Sequence, residues 1–182
     1  MHPQLETPFA SLQAARQQLM ALLSTHTAEE LNFRASPGEW SMLQVAQHLI
    51  IAETMGLSSV KKGLQRQQAA RGGLRQRLSS LMLRVILALP IRIKAPMQEL
   101  NPPNKTLDLK EIQNNWEKLH ESWAELLSNY PEEALSKNVF KHPIAGPLNI
   151  RQSLKFMKSH IEHHLQQVDR IRRKLPQAAQ SR

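Results

Sequence analysis

Apolar side chains recur with a period near 3.6 along most of this chain. A chain patterned in that way can bury its apolar stripes only by packing helix against helix. Four stretches are long enough for full helices. The first covers about residues 5–24, with Leu12, Leu19, Leu22 and Leu23 on its inner side. The second covers about residues 41–68, and the third about 108–129, where Ile112, Trp116, Leu119, Trp123 and Leu126 form one stripe. The fourth covers about residues 149–174, with Leu154, Met157, Ile161, Leu165, Val168 and Leu175 within a narrow arc. Six glycines and 4% aromatic residues argue against sandwiches and barrels, which need glycine-rich turns and aromatic or β-branched strands. The expected class is all-α, and four amphipathic helices of this length describe a four-helix bundle.

The helix ends carry their own signals. Thr27 and Glu30, Ser41 and Gln44, Asp108 and Glu111, and Asn149 and Gln152 all have capping-box spacing. Ser36-Pro37-Gly38-Glu39 reads as a turn, Pro131 closes the third helix, and the stretch from His142 to Pro147 reads as a loop. Arg172, Arg173 and Lys174 suit the negative end of the fourth helix.

A length of 182 residues fits one domain. Residues 1–175 form it, with a basic connection at 54–98 inside it and a flexible tail at 176–182. The absence of cysteine excludes disulfides, thiolate metal sites and a protein thiol nucleophile, and agrees with a cytoplasmic location. No secretion signal is visible at the N-terminus. The most apolar stretch, residues 78–93, is interrupted by Arg84, Pro90 and Arg92, so no membrane span is expected.

The formal net charge is +9 and is unevenly placed. No acid occurs between Glu53 and Glu99, whereas Lys61, Lys62, Arg66, Arg71, Arg75, Arg77, Arg84, Arg92 and Lys94 lie there. Such a run could meet phosphates or anionic lipid. Without aromatics to stack on bases, a solvated helix face with a loop is the better reading. Gly72-Gly73 breaks the chain, and Leu78, Leu81, Met82, Val85, Ile86 and Leu89 then form an amphipathic helix suited to docking on the body or on a partner chain. Pro90, Pro96, Pro102 and Pro103 exclude regular helix after it.

Eight histidines invite a metal reading. The pair His160/His164 has helical ligand spacing, but chance alone supplies roughly a third of such a pair. On a helical projection His164 lies about 60° from Ile161 and His160 about 100° on the same side, bordering the core, while His163 lies about 160° away and faces water. Two imidazoles hold a divalent ion weakly, and His48 on the second helix is the best third ligand. On the residues alone, a metal site and three structural histidines stand as open alternatives. His120 is a weaker candidate, and His2, His26 and His142 read as surface or loop residues. The order His160-Ile161-Glu162-His163-His164 does not match the zinc-protease template, and no nucleophile elbow, phosphate loop or dinucleotide fingerprint occurs.

Pro37-Gly38-Glu39-Trp40-Ser41-Met42-Leu43-Gln44-Val45-Ala46-Gln47-His48-Leu49, followed by Ala52-Glu53, resembles the first signature of the DinB superfamily. His142-Pro143, Gly146-Pro147-Leu148-Asn149-Ile150 and His160-x-x-x-His164-x-x-Gln167-Val168 resemble the second, and Lys94-Ala95-Pro96 is similar to its YfiT-type branch of metal-dependent hydrolases and bacillithiol transferases. The basic segment from Lys61 to Arg92 shows no such pattern. The resemblance implies an up-down-down-up bundle, often dimeric, with a long helical and proline-rich connection between its second and third helices. It also implies a divalent metal, zinc or nickel first, on His48, His160 and His164. An ion so held keeps open positions for a water or a thiolate.

Three functions follow. The first is a metal-dependent thiol S-transferase using bacillithiol, mycothiol or glutathione as the low-molecular-weight thiol with an electrophilic substrate, or a hydrolase of the same class. The second is a non-catalytic binding or stress module with a structural metal or none. The third is a basic-patch binder of nucleic acid or membrane surface, partners that the composition disfavours. Glu53, about 140° round the helix from His48, is expected to be structural or to support the ligands indirectly.

Overall fold

The computed structural model describes residues 1–65, 107–142 and 146–176. Four long helices pack around one core: α1 (Pro3–Leu23), α3 (Met42–Gln65), α4 (Leu109–Ser128) and α5 (Ile150–Arg172), with a short α2 (Ala28–Asn32) after α1. All four expected capping boxes form. Thr27, Asp108 and Asn149 each accept from the backbone N–H three residues on, and Glu30, Glu111 and Gln152 accept from the cap backbone in return. Ser41 and Gln44 make the same reciprocal pair at the start of α3. These exchanges satisfy donors that helix geometry leaves free, which is why helix starts were legible locally. Helix α1 begins two residues before its expected start. Pro3 tolerates the first turn because its missing N–H would have no partner there, and His2 Nδ1 accepts from the Gln4 amide.

Helix directions follow from side-chain pairs. Phe9 stacks on His120 and Arg16 bonds Glu117, so α1 and α4 are antiparallel. Glu53 meets Trp116 and His120, and Gly56 lies near Trp123, so α3 and α4 are parallel. His48 meets His160 and His164 while Gly56 meets Met157, which sets α3 antiparallel to α5. Arg151 reaches Gln4, so α5 runs alongside α1 in the same direction. The order is up-down-down-up. Leu5, Leu12 and Leu19 of α1, Met42 of α3, Ile112, Trp116 and Trp123 of α4, and Leu154 and Val168 of α5 are fully buried between them. Each such aliphatic side chain contributes about 1.5–3 kcal/mol relative to exposure.

Of the stretch expected to be a loop, His142, Gly146 and Pro147 lie in the strands of an antiparallel hairpin, and residues 143–145 lie outside the described residues. A 3-10 turn at Glu132–Ala134 follows Pro131, and then β1 (Asn138–His142) pairs with β2 (Gly146–Asn149). The register slips by one residue between Asn138 and Phe140, leaving Val139 as a bulge. Strands of five and four residues are too short to show clear alternation, and their pairing supplies what the local pattern lacks. The hairpin lies against α3, where the backbone of Val139 packs on Gly63.

Among the described residues, no helix is long and apolar enough to cross a membrane. The expected amphipathic helix, the Gly72-Gly73 break, the prolines of the connection, the last residues of the second helix, the basic residues beyond 65 and the final tail lie outside the described residues.

Candidate metal centre

The structure brings His48, His160 and His164 together. One ligand-capable nitrogen from each lies within 4.8 Å of the others, and among the described residues this is the cluster with that property. His160 Nε2 is 3.3 Å from His48 Nε2 and 3.1 Å from His164 Nε2. His48 and His164 are buried and His160 is half-buried. The geometry follows from topology: α3 and α5 cross the core side by side in opposite directions, so one turn of α5 presents two rings to a single ring on α3.

Neutral imidazoles are the form that can coordinate. Burial holds the His164 ring down at about 3, helped by the like charge that His48 would carry. The same desolvation, with repulsion from His164 and His48, keeps His160 well below its ordinary range. His164 Nδ1 lies 2.8 Å from Gln167 Oε1. An amide oxygen only accepts, so Nδ1–H donates to it, and the lone pair of His164 sits on Nε2, toward the other rings. Three nitrogens this close, two of them on rings that burial keeps unprotonated, match the donor set of a three-histidine divalent site.

Aromatic rings enclose the cluster. Trp40 lies with its centroid 5.0 Å from His48, placed there by a turn in which Gly38 adopts φ +90°, a conformation that glycine enters without Cβ strain. Lys174 ties Glu39 of that turn to the end of α5. Phe156 stacks on His160 at 5.7 Å, and His142 packs edge-on against Phe156 at 4.4 Å.

Two histidines differ from expectation. His163 is buried, not solvent-facing, because α5 packs on both α1 and α3 and so hides an arc wider than its apolar stripe. His142 is buried on β1, where desolvation lowers it to about 4. His120 does not join the cluster; its Nε2 is 3.0 Å from Glu53 Oε1, while Glu53 Oε2 accepts from Trp116 Nε1 at 2.7 Å. Glu53 therefore ties α3 to α4 within the core. His2 caps α1, and His26 bonds the carbonyl of Leu22 at the surface. Phe156 is not singled out by the sequence, and His142 enters there only as a surface or loop residue and as part of the second signature. The apolar Val139 and Phe140 bounded by turn residues were the available signal for the strand that carries His142.

Comparison with known proteins agrees with the fold. YuaE of Bacillus subtilis (strain 168) is 25% identical over 158 residues, covering 82% of this chain and 88% of that protein. The solved four-helix bundle protein TT2238 matches with a TM-score of 0.59 at 19% identity, over 91% of this chain and 98% of that one. The structure of YfiT from Bacillus subtilis, described as a probable metal-dependent hydrolase with an unusual four-helix bundle topology, matches with a TM-score of 0.57 at 17% identity, over 96% and 89%. At those identities the two structures speak for the fold alone. The family model of the DinB superfamily matches residues 11–168, which takes in α3 and α4, most of α1 and α5 and the three clustered histidines, and the chain belongs to that superfamily.

Proposed function

We propose that His48, His160 and His164 hold a divalent metal, zinc or nickel, and that the protein is a metal-dependent enzyme transferring a low-molecular-weight thiol to an electrophile. The observation that carries this reading is the convergence of three imidazole nitrogens from two antiparallel helices. When bound, the ion supplies Lewis acidity that makes a small oxygen or sulfur nucleophile available at neutral pH. The chain's own residues do the rest. His48, His160 and His164 bind, Gln167 orients His164, and Trp40 and Phe156 shield the cluster from bulk water. The chain has no thiol of its own, so a sulfur nucleophile comes from solution. Hydrolysis, with water as nucleophile, is the second reading, favoured by the description of the YfiT structure.

Metal content of untagged protein tests the site. About one equivalent per chain is expected, falling at least tenfold in His48→Ala and His164→Ala; unchanged content in both variants would overturn the proposal. Metal-dependent loss of glutathione or bacillithiol with monochlorobimane supports transfer. Metal-dependent cleavage of 4-nitrophenyl acetate with no thiol consumption supports hydrolysis.

A further inference from the structure

A histidine that holds a metal is ordinarily kept in place by a hydrogen bond from the ring nitrogen facing away from the ion. His164 has that support from Gln167. His160 does not: its Nε2 faces His48 and His164, and among the described residues its Nδ1 has no hydrogen-bond partner. The second side-chain torsion of an imidazole is broad, so an unsupported ring would swing Nε2 away from the point where the three nitrogens meet.

Phe156 is placed to hold it. It stands four residues before His160 on α5, one turn away on the same face. The two rings are nearly parallel, with 12° between their planes and centroids 5.7 Å apart. The planes of His48 and His164 are inclined to that of His160 by 74° and 78°, so neither of those neighbours stacks on it.

Phe156 is in turn held from the hairpin. His142 meets it edge-on at 4.4 Å, and Phe140 lies 6.1 Å from both rings. Fully buried Leu148 completes a small apolar cluster with Phe140 and Phe156. Phe140 and His142 are two residues apart on β1 and so share one face, and Leu148 of β2 is the cross-strand partner of Phe140. One face of the hairpin thus closes round a single ring of α5.

We infer that Phe156 is the positioning residue for His160, and that His142, Phe140 and Leu148 hold Phe156 in the plane this requires. A stack sets the plane of a ring and leaves its tautomer free, so His160 is held in a different way from His164. The consequence for the ion rests on the metal reading above, but the ring geometry needs no metal. An aromatic pair of this kind biases an equilibrium by up to about tenfold, which sets the size of the effect.

Side-chain NMR of the full metal-free chain, with cobalt(II) titration of the same protein, tests it. Wild type is expected to show direct contacts between the His160 and Phe156 ring protons. Phe156→Leu and His142→Ala should move the His160 ring signals and leave those of His120, outside the cluster, in place. Cobalt affinity should fall about tenfold in Phe156→Leu and about threefold in His142→Ala, with an altered visible spectrum of the bound ion. Phe156→Tyr and His142→Phe keep the rings and should restore both the spectrum and, to within about twofold, the affinity. Absence of contact between the two rings in wild type would overturn the inference, as would unchanged His160 signals and affinity in Phe156→Leu, or a loss in Phe156→Tyr as large as in Phe156→Leu. His160 signals that depend on Phe156 in a protein that binds no cobalt uphold the positioning while the metal reading fails. Cobalt bound through the three histidines with equal affinity in wild type and Phe156→Leu upholds the metal reading and removes the positioning role.

Discussion

Single side chains set the state of the histidine cluster. Gln167 fixes the His164 tautomer through one hydrogen bond of 2.8 Å. Removing such an orienting partner typically costs a metal site about 10–100-fold in affinity. Gln167→Leu is therefore expected to weaken zinc binding by that factor in calorimetric titration, with little change in fold by circular dichroism. Glu53 plays a different part. Its carboxylate is buried, accepts from Trp116 and faces His120, so Glu53→Ala leaves a buried indole N–H and an imidazole without their partner. A loss of about 3 kcal/mol in denaturant stability is expected, and Trp116→Phe should cost less, about 1–2 kcal/mol, since it removes one donor and keeps most of the ring packing. Sequence projection set Glu53 apart from the histidine cluster, as the structure does, because Glu53 and His48 point in different directions on one helix. It could not show that Glu53 pairs with α4, since that depends on which helix lies beside it.

At the level of elements, the docking of the hairpin on α3 is the least local feature and the most sensitive one. Gly63 faces the Val139 backbone, whereas Gly56 faces the flexible end of Met157. Gly63→Ala must move a strand and is expected to cost about 3 kcal/mol. Gly56→Ala needs only a rotamer change and regains helix propensity, so a net change under about 1 kcal/mol is expected. Equal effects of the two in urea melts would contradict this packing. The hairpin also carries a pH dependence. His142 titrates near 6.5 in an unfolded chain and at about 4 when folded, because burial disfavours its charged form. Between those values the unfolded chain holds a proton that the folded chain refuses. Stability is thus fully present above about pH 6.5 and declines as pH falls toward 4. The decline in metal-free protein should be shallower in His142→Leu, measured as the urea midpoint against pH.

Across the whole molecule, the proposed ion would join two antiparallel helices that are distant in sequence, so its binding would stabilise the bundle. At a free metal concentration 100 times Kd, about 2.7 kcal/mol is expected, seen as a rise in Tm that a chelator reverses and that is absent in His164→Ala. The parts of this protein written into its sequence are those governed by neighbours within a few residues. Helix stripes, all four capping boxes and the shared edge of His160 and His164 follow from a 3.6-residue period and short-range hydrogen bonds, so the all-α class and the capped helix starts were legible. Pairing of two short strands, the burial of His142 and His163, the bulge against Gly63 and the packing of His142 on Phe156 depend on which segments meet. Those meetings are settled by how the faces pack together, and no local period records them.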